Sequence, residues 1–211
     1  MKIIKPSVEF FAPVNPDTVL IRLERIGRIC YKSEERMTKT STIPFIQKII
    51  ERGHESVLEH CSFTVKFTVD RGVSHELVRH RIASFSQEST RYCNYSKDQF
   101  NNEITVIEPC FLLPDTPAYN DWFHACTTAE HSYFSMLDWG YSPQEARTVL
   151  PNSLKTEVVM TANIREWRHF FRLRCSSAAH PQMREVAVKL LKDCCALLPE
   201  LFNDIKKELS L

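Results

Sequence analysis

At 211 residues the chain has the length of one large domain or two small ones, enough to bury a substantial core. Hydrophobic residues make up 43% and charged residues 25%, ordinary values for a globular protein. The formal net charge of +1 excludes a global basic field drawing the chain to nucleic acid or an anionic membrane, so any anion site must be local.

Residues 1–12 (MKIIKPSVEFFA) read as a strand interrupted by Pro6, at a sheet edge because proline cannot donate to a ladder. From Asp17 to Tyr31, Val19, Leu20, Leu23, Ile26, Gly27 and Cys30 recur at helical spacing and predict an amphipathic helix. A second helix spans Thr42 to Arg52, with Phe45, Ile46, Ile49 and Ile50 on its apolar side and a stop at Gly53. In the bend from His54 to His60, Ser56 and Glu59 fit a capping box. Phe63, Val65, Phe67 and Val69 then alternate with Thr64, Lys66, Thr68 and Asp70, a period-two strand with one buried face.

Ser74 to Arg81 reads as a short serine-capped helix feeding into an arginine-rich segment. Residues 97–102 form a polar loop, and Ile104 to Ile107 a short strand. A turn at Pro114 to Pro117 leads into a long helix reaching about Trp139, which Gly140 ends. Ser142-Pro143 opens the next helix, which carries Arg147 and stops at Pro151. Leu154 to Thr161 suits strand or helix, with strand favoured, and Arg165 to Arg174 is a basic helix around Trp167, Phe170, Phe171 and Leu173. One C-terminal helix is expected from Val186, Leu190, Cys194, Leu197, Leu198, Leu201 and Ile205. With no repeat, low-complexity tract or linker, the expectation is a single domain over 1–211.

The eight cysteines are scattered, form no C-x-x-C pair and follow no signal peptide. Reduced, mostly buried thiols in a cytoplasmic protein are expected, and no apolar run has the length to cross a bilayer. His54, His60, His75 and His80 match no metal-ligand spacing, so no metal is assigned.

The segment from Arg79 to Tyr92 (RHRIASFSQESTRY) holds three arginines, a histidine and three serines in fourteen positions. Arginine grips planar anions in a bidentate fork and serine hydroxyls complete such a cradle; the alternative is a solvated basic surface. If Arg79 to Arg81 continue a helix, steps of about 100° per residue send Arg79 and Arg81 to opposite sides. They would then serve two ligands, or one ligand and a structural partner. Arg147 and Arg174 lie among apolar neighbours, where the competing role is a buried ion pair. Ser89 lacks the G-x-S-x-G setting of a hydrolytic nucleophile, and Cys93 reads as packing.

Arg-His-Arg, seven residues, then Ser89 resembles the signature of flavin-dependent thymidylate synthases. Three further blocks carry the same resemblance: His54-x-Ser56-x-x-Glu59-His60, Ala146-Arg147-x-Val149-Leu150-Pro151, and Asn163-x-Arg165 through His169-Phe170 to Leu173-Arg174. The resemblance implies an α/β fold with a central sheet and flanking long helices, and a homotetramer whose active sites are shared between subunits around FAD. It implies FAD contacts from Ser56, Arg79, His80, Arg81, Gln87, Asn163, Arg165 and His169. For dUMP it implies Glu76, Arg79, Gln87, Ser89, Arg91, Arg147 and Arg174, with Arg174 as the catalytic residue facing the ionised N3 edge of uracil. Glu76 and Gln87 stand where other members carry Gln and Glu, and His169 where some carry Asn.

The implied reaction is reductive methylation of dUMP to dTMP without a cysteine nucleophile. Methylenetetrahydrofolate supplies the carbon and NADPH the reducing equivalents. Four glycines, none in a G-x-G-x-x-G pattern, leave no dinucleotide fingerprint. Two competing readings of the basic cluster are a nucleotide- or RNA-binding module and a metal-dependent phosphohydrolase. The near-zero net charge disfavours the first, and missing ligand spacing the second.

Overall fold

A computed structural model describes residues 1–97 and 100–211. The chain is mixed α/β. In chain order it runs β1 (Lys2–Ile4), β2 (Ser7–Phe10), α1 (Pro16–Tyr31), α2 (Thr42–Glu51), β3 (Ser62–Asp70), α3 (Arg71–Leu77), β4 (Ala83–Gln87) and β5 (Thr105–Ile107). It continues through α4 (Pro117–Asp138), α5 (Pro143–Ala146), β6 (Lys155–Asn163), α6 (Ile164–Arg174), α7 (Pro181–Leu197) and α8 (Pro199–Glu208). Short 3-10 turns cover Glu34–Arg36, Glu55–His60 and Arg147–Val149. One sheet has four strands in the order β2-β3-β6-β4, and β1 pairs with β5 in parallel, Lys2 opposite Thr105.

The chain divides into two compact units built from separated segments. The first comprises Met1–Ser7, Phe67–Arg79 and Ser86–Val158; the second comprises Val8–Lys66, His80–Phe85 and Val159–Leu211. β3, β4 and β6 contribute residues to both.

In the first unit, Tyr95, Ile104, Val106, Cys126, Tyr133, Ala146 and Leu154 form the core beneath α4. The Trp122 indole N–H donates to Ser153 Oγ at 2.9 Å, and Glu130 accepts from the Ile104 amide at 2.9 Å, so both ends of this layer are pinned. Asp70, not Ser74, caps α3: its Oδ1 accepts from the Val73 amide at 2.8 Å. The helix therefore begins three residues earlier than expected, and Ser74 Oγ donates back to the Arg71 carbonyl. It also ends at Leu77, so Arg79 to Arg81 are not helical and the helix-based argument for opposed arginines loses its premise.

In the second unit, Asn15 caps α1 by accepting from the Thr18 amide at 3.0 Å, with Pro16 at the first helical position. Leu20, Leu23 and Gly27 are buried as the spacing implied, whereas Cys30 is exposed. The unexpected members of that buried face are Glu24 and Arg28. Arg28 reaches Glu24 at 2.6 and 2.8 Å, and the hydroxyls of Ser41 and Thr42 donate to the same carboxylate at 2.7 and 2.6 Å. Gly27 lets α2 approach: a Cβ there would lie 2.6 Å from the Phe45 ring and 3.0 Å from Ile49. α2 ends where Gly53 adopts φ +69°, as the sequence indicated.

An aromatic stack fills the rest of this core. The Phe63 and Trp167 rings lie 4.9 Å apart and nearly parallel, with Phe170 edge-on to Trp167, Phe202 edge-on to Phe63, and Phe171 stacked beside Trp167 at 6.2 Å. The predicted C-terminal helix is two helices. Leu198 sits at φ −137°, ψ 64°, and Pro199 starts α8, because proline excludes helical geometry from the residue before it and offers no N–H. β4 lies inside the arginine-rich segment, where no strand was expected. Of the expected polar loop over 97–102, residues 98 and 99 lie outside the described residues.

Candidate active site

The residues singled out in the sequence fall into two groups, one in each unit. In the second unit they gather on α6 and the strand of chain that follows Arg79. Asn163 caps α6, its side-chain oxygen accepting from the Glu166 amide at 2.9 Å. Ile164, Trp167, Phe170 and Phe171 turn inward and fix the rotation of the helix. That rotation aligns Glu166, Phe170 and Arg174 along one stripe at i, i+4 and i+8.

His80 lies across this stripe. It is 4% exposed, its Nδ1 is 2.9 Å from Glu166 Oε1, and its Nε2 accepts from Arg174 Nε at 3.2 Å. Its ring packs on Phe170 at 5.0 Å and faces the His169 ring at 5.8 Å. Burial pushes the His80 imidazole below its ordinary value, and Arg174 and His169 add to that, while Glu166 opposes it. Both ring nitrogens are engaged within the protein, so a flavin contact from residue 80 would come from its main chain or ring edge.

Next to this stripe is a cavity of about 500 Å³ lined by Asn163, Arg165, His169, Arg172, Ile82 and the acids Glu55, Glu59 and Glu166. Arg165 is tied to Glu59 at 2.6 Å and lies 3.9 Å from Glu55. These ties hold the turn from Glu55 to His60, which carries Ser56, against α6. The capping box expected from Ser56 and Glu59 is not formed: Glu59 is engaged with Arg165, and the turn has no side-chain cap. Ser56 and Arg81 are exposed. The donor set of two guanidiniums, an amide and an imidazole beside apolar Ile82 fits the phosphate and ring portions of a flavin nucleotide, with the Arg165 ion pairs available for exchange.

The oxygen or nitrogen atoms of His80, Glu166 and His169 also lie within 4.8 Å of one another, a ligand-like cluster. The Arg174 guanidinium already occupies the His80 side of that cluster, and its positive charge repels a cation there.

In the first unit lie the expected nucleotide residues Glu76, Arg79, Gln87, Ser89, Arg91 and Arg147, while Arg174 belongs to the second. Gln87 Nε2 lies 3.0 Å from Ser74 Oγ and 3.2 Å from Thr156 Oγ1. Ser89 Oγ accepts from the Arg91 amide at 3.3 Å, and its carbonyl accepts from the Tyr92 and Cys93 amides, closing a turn that presents Arg91 outward over the Tyr92 ring. Arg147 is exposed rather than buried in an ion pair, and donates to Thr90 Oγ1 at 3.2 Å. It lines a cavity of about 650 Å³ with Arg71, His75, Thr90, Pro151 and Asn152. Glu76 is half-buried on α3, and Arg79 is exposed just beyond it, its amide donating to the Glu76 carbonyl. Burial, then the nearby Glu88 charge, pushes the Cys93 thiol up, away from the thiolate a nucleophile needs.

Two residues escaped the sequence reading. Glu166, three residues after the cap Asn163, lies in the capped first turn of α6, a spacing the sequence did carry. Arg168 is 1% exposed, held by Asp204 at 2.6 and 2.9 Å, Glu55 at 3.1 Å and the Leu201 carbonyl.

Residues 18–200 match the family model described as thymidylate synthase complementing protein. The flavin-dependent thymidylate synthase of Geobacter sulfurreducens is 36% identical over 185 residues, covering 84% of this chain and 78% of that protein. The namesake from Pyrococcus furiosus is 36% identical, covering 79% of this chain and 68% of its own length. That from Mycolicibacterium gilvum is 34% identical, covering 95% and 84%. The chain belongs to the flavin-dependent thymidylate synthase family.

Proposed function

We propose that the chain is an FAD-dependent thymidylate synthase that methylates dUMP reductively to dTMP. Methylenetetrahydrofolate is the carbon donor and NADPH the reductant. The observation that carries this reading is the family match over residues 18–200, which spans all the blocks quoted above, from His54 to Arg174. In this reading the whole of 1–211 works as one catalytic domain, and a cytoplasmic homotetramer brings residues of several subunits to each active site. Among the described residues no helix is long and apolar enough to cross a membrane.

FAD would be held by Ser56, Arg79, His80, Arg81, Gln87, Asn163, Arg165 and His169. Arg165 and Arg172 supply positive charge to the cavity on α6, where a pyrophosphate would replace the carboxylates of Glu55 and Glu59 as partner. When bound, the flavin supplies the redox step that turns a one-carbon unit into a methyl group.

Glu76, Arg79, Gln87, Ser89, Arg91, Arg147 and Arg174 would hold dUMP. Arg91 and Arg147 are exposed guanidiniums suited to a phosphate, and the turn at Ser89 offers a hydroxyl beside them. Arg174, oriented at its Nε, would place its charge opposite the N3 edge of uracil and stabilise the negative charge that develops there. The raised Cys93 thiol is consistent with a route that needs no cysteine nucleophile.

Absorption spectroscopy of the purified protein tests the reading. An oxidised-flavin spectrum should bleach with NADPH and reoxidise at a rate altered by dUMP, and dTMP should form once methylenetetrahydrofolate is added. A colourless protein that FAD cannot reconstitute would overturn it. A basic site with steeply salt-dependent binding would then favour the nucleotide- or RNA-binding reading.

A further inference from the structure

The contacts of His80 specify more than its position. Arginine Nε carries a hydrogen and no lone pair, and a guanidinium does not lose its proton in proteins. The 3.2 Å contact between Arg174 Nε and His80 Nε2 therefore requires a lone pair on Nε2. The imidazole proton must then sit on Nδ1, where Glu166 Oε1 accepts it at 2.9 Å. The Nε2–H tautomer or an imidazolium would set N–H against N–H and break the link to Arg174.

The surroundings leave the ring little choice. His80 is 4% exposed and seated on Phe170, and Glu166 is fixed in the capped first turn of α6. The charged or titratable groups that face it are Glu166, Arg174 and His169, all on α6. The stripe from Glu166 to Arg174 covers roughly 12 Å of helix axis at about 1.5 Å per residue, a span that two long side chains and one ring can bridge.

We infer that His80 is the positioning residue of Arg174: Glu166 locks the neutral Nδ1–H tautomer, and the ring's Nε2 anchors the guanidinium by its Nε edge. The inference rests on the reading above only for what Arg174 does; the tautomer and the anchor stand on geometry alone. The arrangement follows the logic by which a carboxylate orients a histidine that in turn orients a reacting group. Here the group oriented is a donor rather than a nucleophile. Protonating His80 removes the Nε2 lone pair and with it this hydrogen bond from Arg174.

Two measurements test it on the flavin-loaded protein. Nitrogen-15 NMR of labelled histidine should find His80 as a single Nδ1–H tautomer at neutral pH. An Nε2–H form, an averaging pair or an imidazolium would overturn the inference. In steady-state kinetics, His80→Asn keeps a donor near Nδ1 but has no atom at the Nε2 position. It should lower kcat about tenfold or more while the dUMP KM changes far less, and the flavin spectrum should be retained. His80→Gln, whose longer side chain can return an acceptor to Arg174, should recover part of kcat. Full activity in His80→Asn beside an inactive Arg174→Ala would sink the anchor and spare the proposed function. Activity in Arg174→Ala would sink the catalytic role and leave the tautomer result to decide the anchor. If His80→Asn does not fold, the tautomer of the unmodified protein decides alone.

Discussion

Arg168 in the second unit and the exposed arginines of the first do opposite physical work. In the second unit Arg168 and Arg174 are attached before any ligand arrives, the first to two carboxylates and a carbonyl, the second to a buried imidazole. In the first unit Arg79, Arg91 and Arg147 are exposed, and among the described residues none has a carboxylate within 4.0 Å. Arg91 lies over a tyrosine ring and Arg147 on a threonine hydroxyl. A buried guanidinium in place of an apolar side chain is costly unless every donor is met, so its partners are structural. An exposed guanidinium stays hydrated until an anion displaces its water, so its partner can be a substrate. The same residue type is thus spent on the framework at Arg168 and left open to a ligand at Arg91 and Arg147.

The contrast breaks most visibly at Arg168. Arg168→Met leaves Glu55 and Asp204 facing an apolar side chain and should cost about 3–5 kcal/mol in urea unfolding, while Arg79→Met should change stability by less than about 0.5 kcal/mol. Equal losses in the two variants would erase the distinction. Arg174→Ala comes next: kcat should fall by roughly 10²–10³, the loss typical of removing one donor to developing charge, with flavin absorbance retained.

Removing Arg91 or Arg147 should act on binding instead. Each change to alanine is expected to raise the dUMP KM by about tenfold or more, as for a lost hydrogen bond to a charged group, with kcat nearly unchanged. A fall in kcat with no change in KM would put these side chains in the framework class.

The smallest effect concerns pH. Because burial holds the His80 imidazole below its ordinary value of about 6.5, the unfolded chain binds its proton first as pH falls. Stability should therefore decline from about pH 6.5 down to the folded value and then level off, and His80→Asn should lack this component. Asp204 adds a second, more acidic decline. Burial pushes its carboxyl up, but the hydrogen bond and charge of Arg168 outweigh that and hold it below the ordinary value, so its contribution is lost as pH falls through the lowered pKa. Urea midpoints measured across the acid range separate the two.

Much of this was legible beforehand, and the exceptions have a common cause. Alternation named β3, the glycines at 53 and 140 ended their helices, and the apolar spacing of α6 gave its inward face except at Leu173, which is exposed. Spacing within an element reports which side is buried, not what lies across from it. Glu166 and Arg174 meet His80 from 86 and 94 residues away, and Arg168 meets Asp204 across 36. No local pattern carries those separations, and a charge on an apolar face looks the same whether it is paired or merely at the rim. The start of α3 was missed for a related reason: Asp70 ended the alternating run and was counted with the strand, although an acid at that point is also a helix cap. The family blocks implied ligand roles for Arg91 and Arg147 that spacing could not, since their apolar neighbours fit a buried ion pair equally well.

The bare backbone at Gly27 acts as a gauge for the spacing of two helices. The Phe45 ring that would meet an added methyl is not a loose end, because the Arg28 guanidinium covers it at 4.8 Å from its centroid. Arg28 in turn is clamped by Glu24, which also holds the hydroxyls that open α2. A single carbon inserted there acts as a wedge whose thrust cannot stop at one ring. It reaches the start of α2, and through that helix the turn that carries Ser56, so the smallest side chain in this part of the molecule sets the tolerance to which its neighbours are built.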